Sequence, residues 1–206
     1  MSYIYIVLPL LLGLMVSAFC IPQIIIISHR KRLFDNLEYR KIHSEVTPRL
    51  GGVAFFIAIL LTVVATMGVF IGLDNMLPLE LPFLAGLGSL AIVFFIGVAD
   101  DLTGLKYKVK FMAQFLVATL TVCSDLKINN LHGFFAIHTL HEWIAIPLSI
   151  LVIMYIINAI NLIDGIDGLA AGLSGLAFFA LGVSFFIQKQ LLFTTISFAG
   201  LGMLIP

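Results

Sequence analysis

The chain alternates long apolar runs with short polar connections. Runs near 3–27, 51–73, 81–99, 109–124, 143–162 and 169–187, and one from 191 to the last residue, are predominantly apolar. A membrane-crossing helix needs about 20 such residues, so each run reads as a span. The predicted fold is all-α and polytopic, with about six complete spans and a truncated seventh in one integral-membrane domain over 1–206. The run at 109–124 is the shortest and carries Gln114. The first run is not read as a cleavable signal, because no Lys or Arg precedes it and it is too long for a signal's apolar region. The last run reaches Pro206 with no polar segment after it, which reads as the front part of a longer protein.

Composition narrows the class. Hydrophobic residues make up 61% and charged residues 11% of the chain, against about 25% charged in ordinary soluble domains. So few charges could not cover a water-facing surface. Disorder, a disulfide scaffold and a nucleic-acid partner are excluded on the same grounds. Cys20 and Cys123 read as small buried hydrophobes, and the five histidines are too scattered to suggest zinc.

Net charge is zero, but its placement is informative. Nine of the eleven basic residues lie in two connections: Arg30, Lys31, Arg32, Arg40, Lys41 and Arg49 after the first run, and Lys106, Lys108 and Lys110 after the third. The positive-inside tendency makes these connections cytoplasmic and puts the N-terminus outside. The fifth connection then falls on the cytoplasmic side by counting. Three polar clusters share that side: 35–52, Asp100-Asp101, and Asn158–Gly168.

Two readings fit Asp100-Asp101: a solvated helix end, or a cation site. Two carboxylates at a helix C-terminus oppose the helix dipole and repel each other. Mg2+ would relieve both effects, since it takes oxygens from one or two carboxylates together with substrate phosphates. Asn158, Asn161, Asp164 and Asp167 recur every third residue. On a continuous helix they would sweep roughly half the circumference, which lipid would not tolerate. A helix end near Ile163–Gly165 removes the conflict, with Gly165 and Gly168 supporting irregular backbone around a polar cavity. In Thr47-Pro48-Arg49-Leu50-Gly51-Gly52, Pro48 interrupts any helix. Arg49 is either a phosphate ligand or a membrane-flanking base.

The segments RKIHSEVTPRLGG (40–52), GVADDLTGLKYKVKFMAQ (97–114) and NAINLIDGIDGLAAG (158–172) resemble, in order, the polyprenyl-phosphate N-acetylhexosamine-1-phosphate transferases. The PRLGG form is similar to the undecaprenyl-phosphate N-acetylglucosamine-1-phosphate type more than to the muramoyl-pentapeptide type. The resemblance implies that a polyprenyl phosphate in the bacterial inner membrane attacks the β-phosphorus of a UDP-N-acetylhexosamine and releases UMP. It also implies Mg2+, with Mn2+ as an alternative, and a homodimer as one candidate assembly. Expected catalytic residues are Asp100, Asp101, Asp164 and Asp167, with Asp100 as base toward the lipid phosphate. Lys110, Asn158, Asn161 and Arg49 are expected to bind substrate, and Asp101, Asn161 and Asp164 to hold the metal.

The family has ten or eleven spans, a later GDxGS-like loop and a His-rich loop, none of which this chain completes. The chain alone is therefore expected to be inactive. Two alternatives remain: a phospho-N-acetylmuramoyl-pentapeptide transferase and, from a different class, a secondary transporter with a broken-helix ion or substrate site.

Overall fold

A computed structural model describes residues 3–31, 50–74, 80–164 and 168–206. The α-helices are α1 (Ile4–Lys31), α2 (Gly51–Asp74), α3 (Leu81–Thr103), α4 (Tyr107–Cys123), α5 (Glu142–Ile163), α6 (Leu169–Ile187) and α7 (Leu191–Met203). One 3-10 turn, Phe134–Ala136, lies between α4 and α5. Among the described residues there is no strand, only an isolated antiparallel bridge between Asn130 and Thr139. Each predicted run is a helix, and the all-α, multi-pass membrane architecture holds.

Five helices are long and apolar enough to cross a membrane: α1, α2, α3, α5 and α6. α4 has 17 residues, about 26 Å at 1.5 Å per residue, a little short of a hydrocarbon core of about 30 Å. Several helices outrun their apolar segments. α1 carries His29, Arg30 and Lys31 in its last turn, and α3 continues through Asp100 and Asp101. Backbone hydrogen bonding does not require an apolar side chain, so a helix persists past the hydrocarbon edge until a specific residue stops it. In α3 the stop is Gly104, at φ 63°, in the left-handed region that glycine enters without steric cost. α5 ends at Ile163, where the sequence placed a helix end.

The chain forms two compact units. The first comprises α1, α2, α6 and α7. Its interior is α7, the run that looked truncated, which packs against the other three helices. Close approach depends on small residues. A Cβ at Gly13 would lie 2.6 Å from the Ala199 carbonyl oxygen, and one at Gly202 would collide with the Leu10 carbonyl. Phe198 fills the space above Gly182, and Phe178 the space above Gly200. Buried Thr194, Thr195 and Ser197 donate to the carbonyls of Gln190, Leu191 and Phe193, so their hydroxyls need no solvent. Such packing is how helices associate where water supplies no driving force.

The second unit comprises α3, α4 and α5. α3 and α4 pack side by side, with Ser89 and Thr121 sharing a hydroxyl–hydroxyl hydrogen bond of 3.1 Å. At this same end of α4 the following loop is pinned to α5, because Ser149 Oγ accepts from the Ile128 N–H at 2.8 Å and donates to the Ala145 carbonyl at 2.6 Å. Cys123 is exposed and Cys20 partly so, which corrects the expectation of two buried thiols. The apolar run continues to Cys123, but only the face bearing Val117, Ala118 and Val122 turns inward.

Candidate active site

The site grows from the inward stripe of α4. Lys110, Ala113 and Gln114, Val117 and Ala118, and Thr121 and Val122 are the sheltered positions, spaced at three and four as one helix face requires. The stripe is apolar in its C-terminal turns and polar in its first two. Lys110 and Gln114 therefore project from adjacent turns of one face, near the end of α4 that follows the α3 turn.

Asp100 occupies the last turn but one of α3. Its backbone carbonyl accepts from the Gly104 N–H at 2.8 Å. Its side chain accepts from the Leu105 N–H through Oδ1 at 2.9 Å and meets Lys110 Nζ through Oδ2 at 2.6 Å. The tension expected of a carboxylate at a helix C-terminus is thus met by a backbone N–H and a lysine ammonium. The pair is 30% exposed on the acid and 42% on the lysine. Ion pairs that wet contribute little stability, roughly 0–1 kcal/mol. The pair's consequence is geometric: it sets where the lysine ammonium sits.

Asn158, in α5, faces Gln114. Its Nδ2 donates to Gln114 Oε1 at 2.7 Å and to the Met154 carbonyl at 2.8 Å. Gln114 Nε2 donates back to Asn158 Oδ1 at 3.3 Å. Both N–H donors of Asn158 are therefore committed within the protein, one across to α4 and one to the preceding turn of α5. Gln114 is the residue that the sequence reading noticed without assigning a role. The usable signal was a lone amide, at a position four residues from Lys110, inside an otherwise apolar run.

Asn161 lies three residues beyond Asn158, exposed, with no side-chain hydrogen bond to a described residue. Asp164 follows the end of α5 and is also exposed. Asp101 is half-buried and engaged in the structure. Arg49 and Asp167 lie outside the described residues. Among the described residues no group of three or more His, Cys, Asp or Glu could hold a metal by itself. The amide and carboxylate oxygens of Asn161 and Asp164 are nevertheless hard donors of the kind Mg2+ accepts. A sparse protein donor set suits an ion that completes its shell with water and phosphate.

One end of the second unit thus presents a fixed lysine, a carboxylate orienting it, and the exposed amide of Asn161. That combination can bind and align phosphates. The family model of glycosyl transferase family 4 matches residues 83–206, which include all of α3, α4 and α5 apart from two residues. A protein of Bacillus subtilis (strain 168) named "Probable undecaprenyl-phosphate N-acetylglucosaminyl 1-phosphate transferase" is 34% identical over 154 residues, covering 72% of this chain and 39% of the relative. The phospho-N-acetylmuramoyl-pentapeptide-transferase of Staphylococcus carnosus (strain TM300) is 29% identical over 189 residues, covering 86% of this chain and 58% of the relative. This chain therefore spans between about two fifths and three fifths of the length of those relatives. The chain, matched across 83–206, belongs to glycosyl transferase family 4.

Proposed function

We propose that the full-length protein containing this chain transfers N-acetylglucosamine 1-phosphate from a UDP-sugar to a polyprenyl phosphate at the cytoplasmic face of the bacterial inner membrane. A lipid phosphate oxygen forms a bond to the β-phosphorus, the bond from that phosphorus to the oxygen bridging the two phosphates breaks, and UMP leaves with that oxygen. The lipid keeps a diphospho-sugar. The observation that carries this reading is the ammonium of Lys110, held by Asp100 at the polar end of α4, within the segment that the family model matches.

The chemistry explains why these residue types are suited to it. Both reactants are phosphate anions, so catalysis rests on positioning and charge neutralisation. Lys110 is a point charge for a phosphate oxygen, and Asp100 directs it. Free phosphate monoesters are mostly deprotonated at neutral pH, their second pKa being about 6, so removing a proton contributes little. With both oxygens of Asp100 engaged, orienting Lys110 suits that residue better than acting as a base. Asp101, Asn161 and Asp164 would hold Mg2+, or Mn2+, which supplies further neutralisation between the two phosphates. Arg49 and Asp167 complete the proposed set as phosphate and nucleotide contacts, and the protomer is proposed to work in the membrane as a homodimer. The N-terminus is proposed to lie outside.

The test is UMP release by the purified full-length protein, given UDP-N-acetylglucosamine and undecaprenyl phosphate in detergent with Mg2+. Lipid-dependent UMP release is expected. Release only from UDP-N-acetylmuramoyl-pentapeptide would favour the second reading, to which the Staphylococcus carnosus relative points. Substrate uptake by proteoliposomes without UMP release would establish the transporter instead.

A further inference from the structure

α4 and α5 hardly approach each other through their backbones, unlike α3 and α4. The polar link between them is the exchanged amide pair of Gln114 and Asn158, with a third bond anchoring Asn158 to Met154. The two helices run in opposite directions, as the bonds at the two ends of α4 require: Asn158, late in α5, meets Gln114, and Ser149, early in α5, meets the segment following α4. Moving one turn from Gln114 toward the polar end leads to Lys110. Moving one turn from Asn158 in the same direction leads to Asn161. An apolar contact can slide by fractions of a turn with little loss, whereas an amide pair with two matched bonds defines a single register.

We propose that Gln114 is a positioning residue of the transfer site. Its amide pair with Asn158 fixes α4 against α5 and so sets the spacing between Lys110 on one helix and Asn161 on the other. Gln114 touches neither substrate. Lys110 is thereby located from two sides: Asp100 holds its ammonium from α3, and Asn158, through Gln114, holds its helix from α5. Misplacement of a phosphate-binding group by about 1 Å costs on the order of 100-fold in rate. A single helix slip of that size would therefore be visible in turnover.

This inference rests on the transfer reaction proposed above, and the two fail differently. If the wild-type full-length protein forms no UMP, the reaction is wrong whatever Gln114 does. Given wild-type activity, Gln114→Met is expected to lower kcat tenfold or more, per folded molecule, while KM for UDP-N-acetylglucosamine stays within threefold. The exchange variant Gln114→Asn with Asn158→Gln preserves the donors and acceptors and is expected to recover kcat to within threefold of wild type. A kcat within twofold of wild type in Gln114→Met overturns the proposal. So does an exchange variant that regains the wild-type Tm but keeps the low kcat, since only the fold would then depend on the pair. If the exchange variant does not regain the wild-type Tm, Asn158→Leu decides. A kcat loss matching that of Gln114→Met supports the proposal, and a kcat within twofold of wild type overturns it.

Discussion

A carboxylate at the C-terminus of a helix faces the negative end of the dipole, and Asp100 is tolerated there because its side chain reaches past the end of the helix. It caps the turn through the Leu105 N–H and holds Lys110 with its second oxygen. Asp100→Asn keeps an acceptor for Leu105 but loses the charge that orients the lysine. In the full-length protein this substitution is expected to cost at least tenfold in turnover, and Lys110→Met a similar factor. The two losses should not multiply: the double variant is expected within threefold of the worse single one, because both remove one shared arrangement. Multiplying losses, read from steady-state kcat, would show that the two residues act separately.

At this scale the sequence was only partly legible. The residue types of the site could be chosen from their clustering near the membrane edge. Which of them pair with one another could not, because that depends on partners distant in sequence. The amide of Asn158, for example, pairs with Gln114, 44 residues away, and no local pattern announces that partner.

Helices were the most legible level. Seven apolar runs became seven helices, because length and hydropathy dictate spans once water is absent. The errors lie at their ends, where helical hydrogen bonding continues into polar sequence, as in α3 through Asp101. The connection between α4 and α5, which no apolar run covers, is built. Leu131 and Leu140 donate backbone hydrogen bonds to His138 and Asn129, and Asp125, His132 and Ala136 adopt positive φ. Ser149→Ala would remove the acceptor of the Ile128 N–H. A cost of about 1–3 kcal/mol is expected for the stranded group, read from denaturant unfolding in detergent, and Ser149→Thr should recover most of it.

Lys127 in this loop pairs with Glu142 at 2.9 Å and Asp125 at 3.1 Å. The hydrogen bond to Glu142, then that to Asp125, raises the Lys127 pKa above the usual 10.5. A raised lysine pKa means the attraction is fully present below the unfolded value and is lost only as pH climbs through the folded one. The Tm difference between wild type and Lys127→Met is therefore expected to be constant from neutral pH to about 10 and to shrink above 10.5. A difference that vanishes already near neutral pH would rule out this ion pair as its cause.

For the molecule as a whole, two packing regimes stand out. The first unit is held by close backbone approach around α7, and the second by polar bridges between helices. The distinction predicts different sensitivities. Gly13→Ala places a Cβ against the backbone oxygen of Ala199, which cannot rotate away. A loss of about 1–3 kcal/mol is expected in thermal or denaturant unfolding. Gly97→Ala, where an added Cβ meets nothing within 4 Å, should be neutral or slightly stabilising.

The functional account requires that the ends of α3, α4 and α5 bearing Asp100, Lys110 and Asn161 face the compartment that supplies nucleotide sugar. Single cysteines test this directly in a background lacking Cys20 and Cys123. Lys108→Cys sits beside the site, and Asn129→Cys lies beyond the opposite end of α4, both exposed. With a membrane-impermeant maleimide, position 108 is expected to label in inverted membrane vesicles and to stay unlabelled in intact spheroplasts, with position 129 behaving oppositely. Labelling of position 108 from outside the cell would contradict the account.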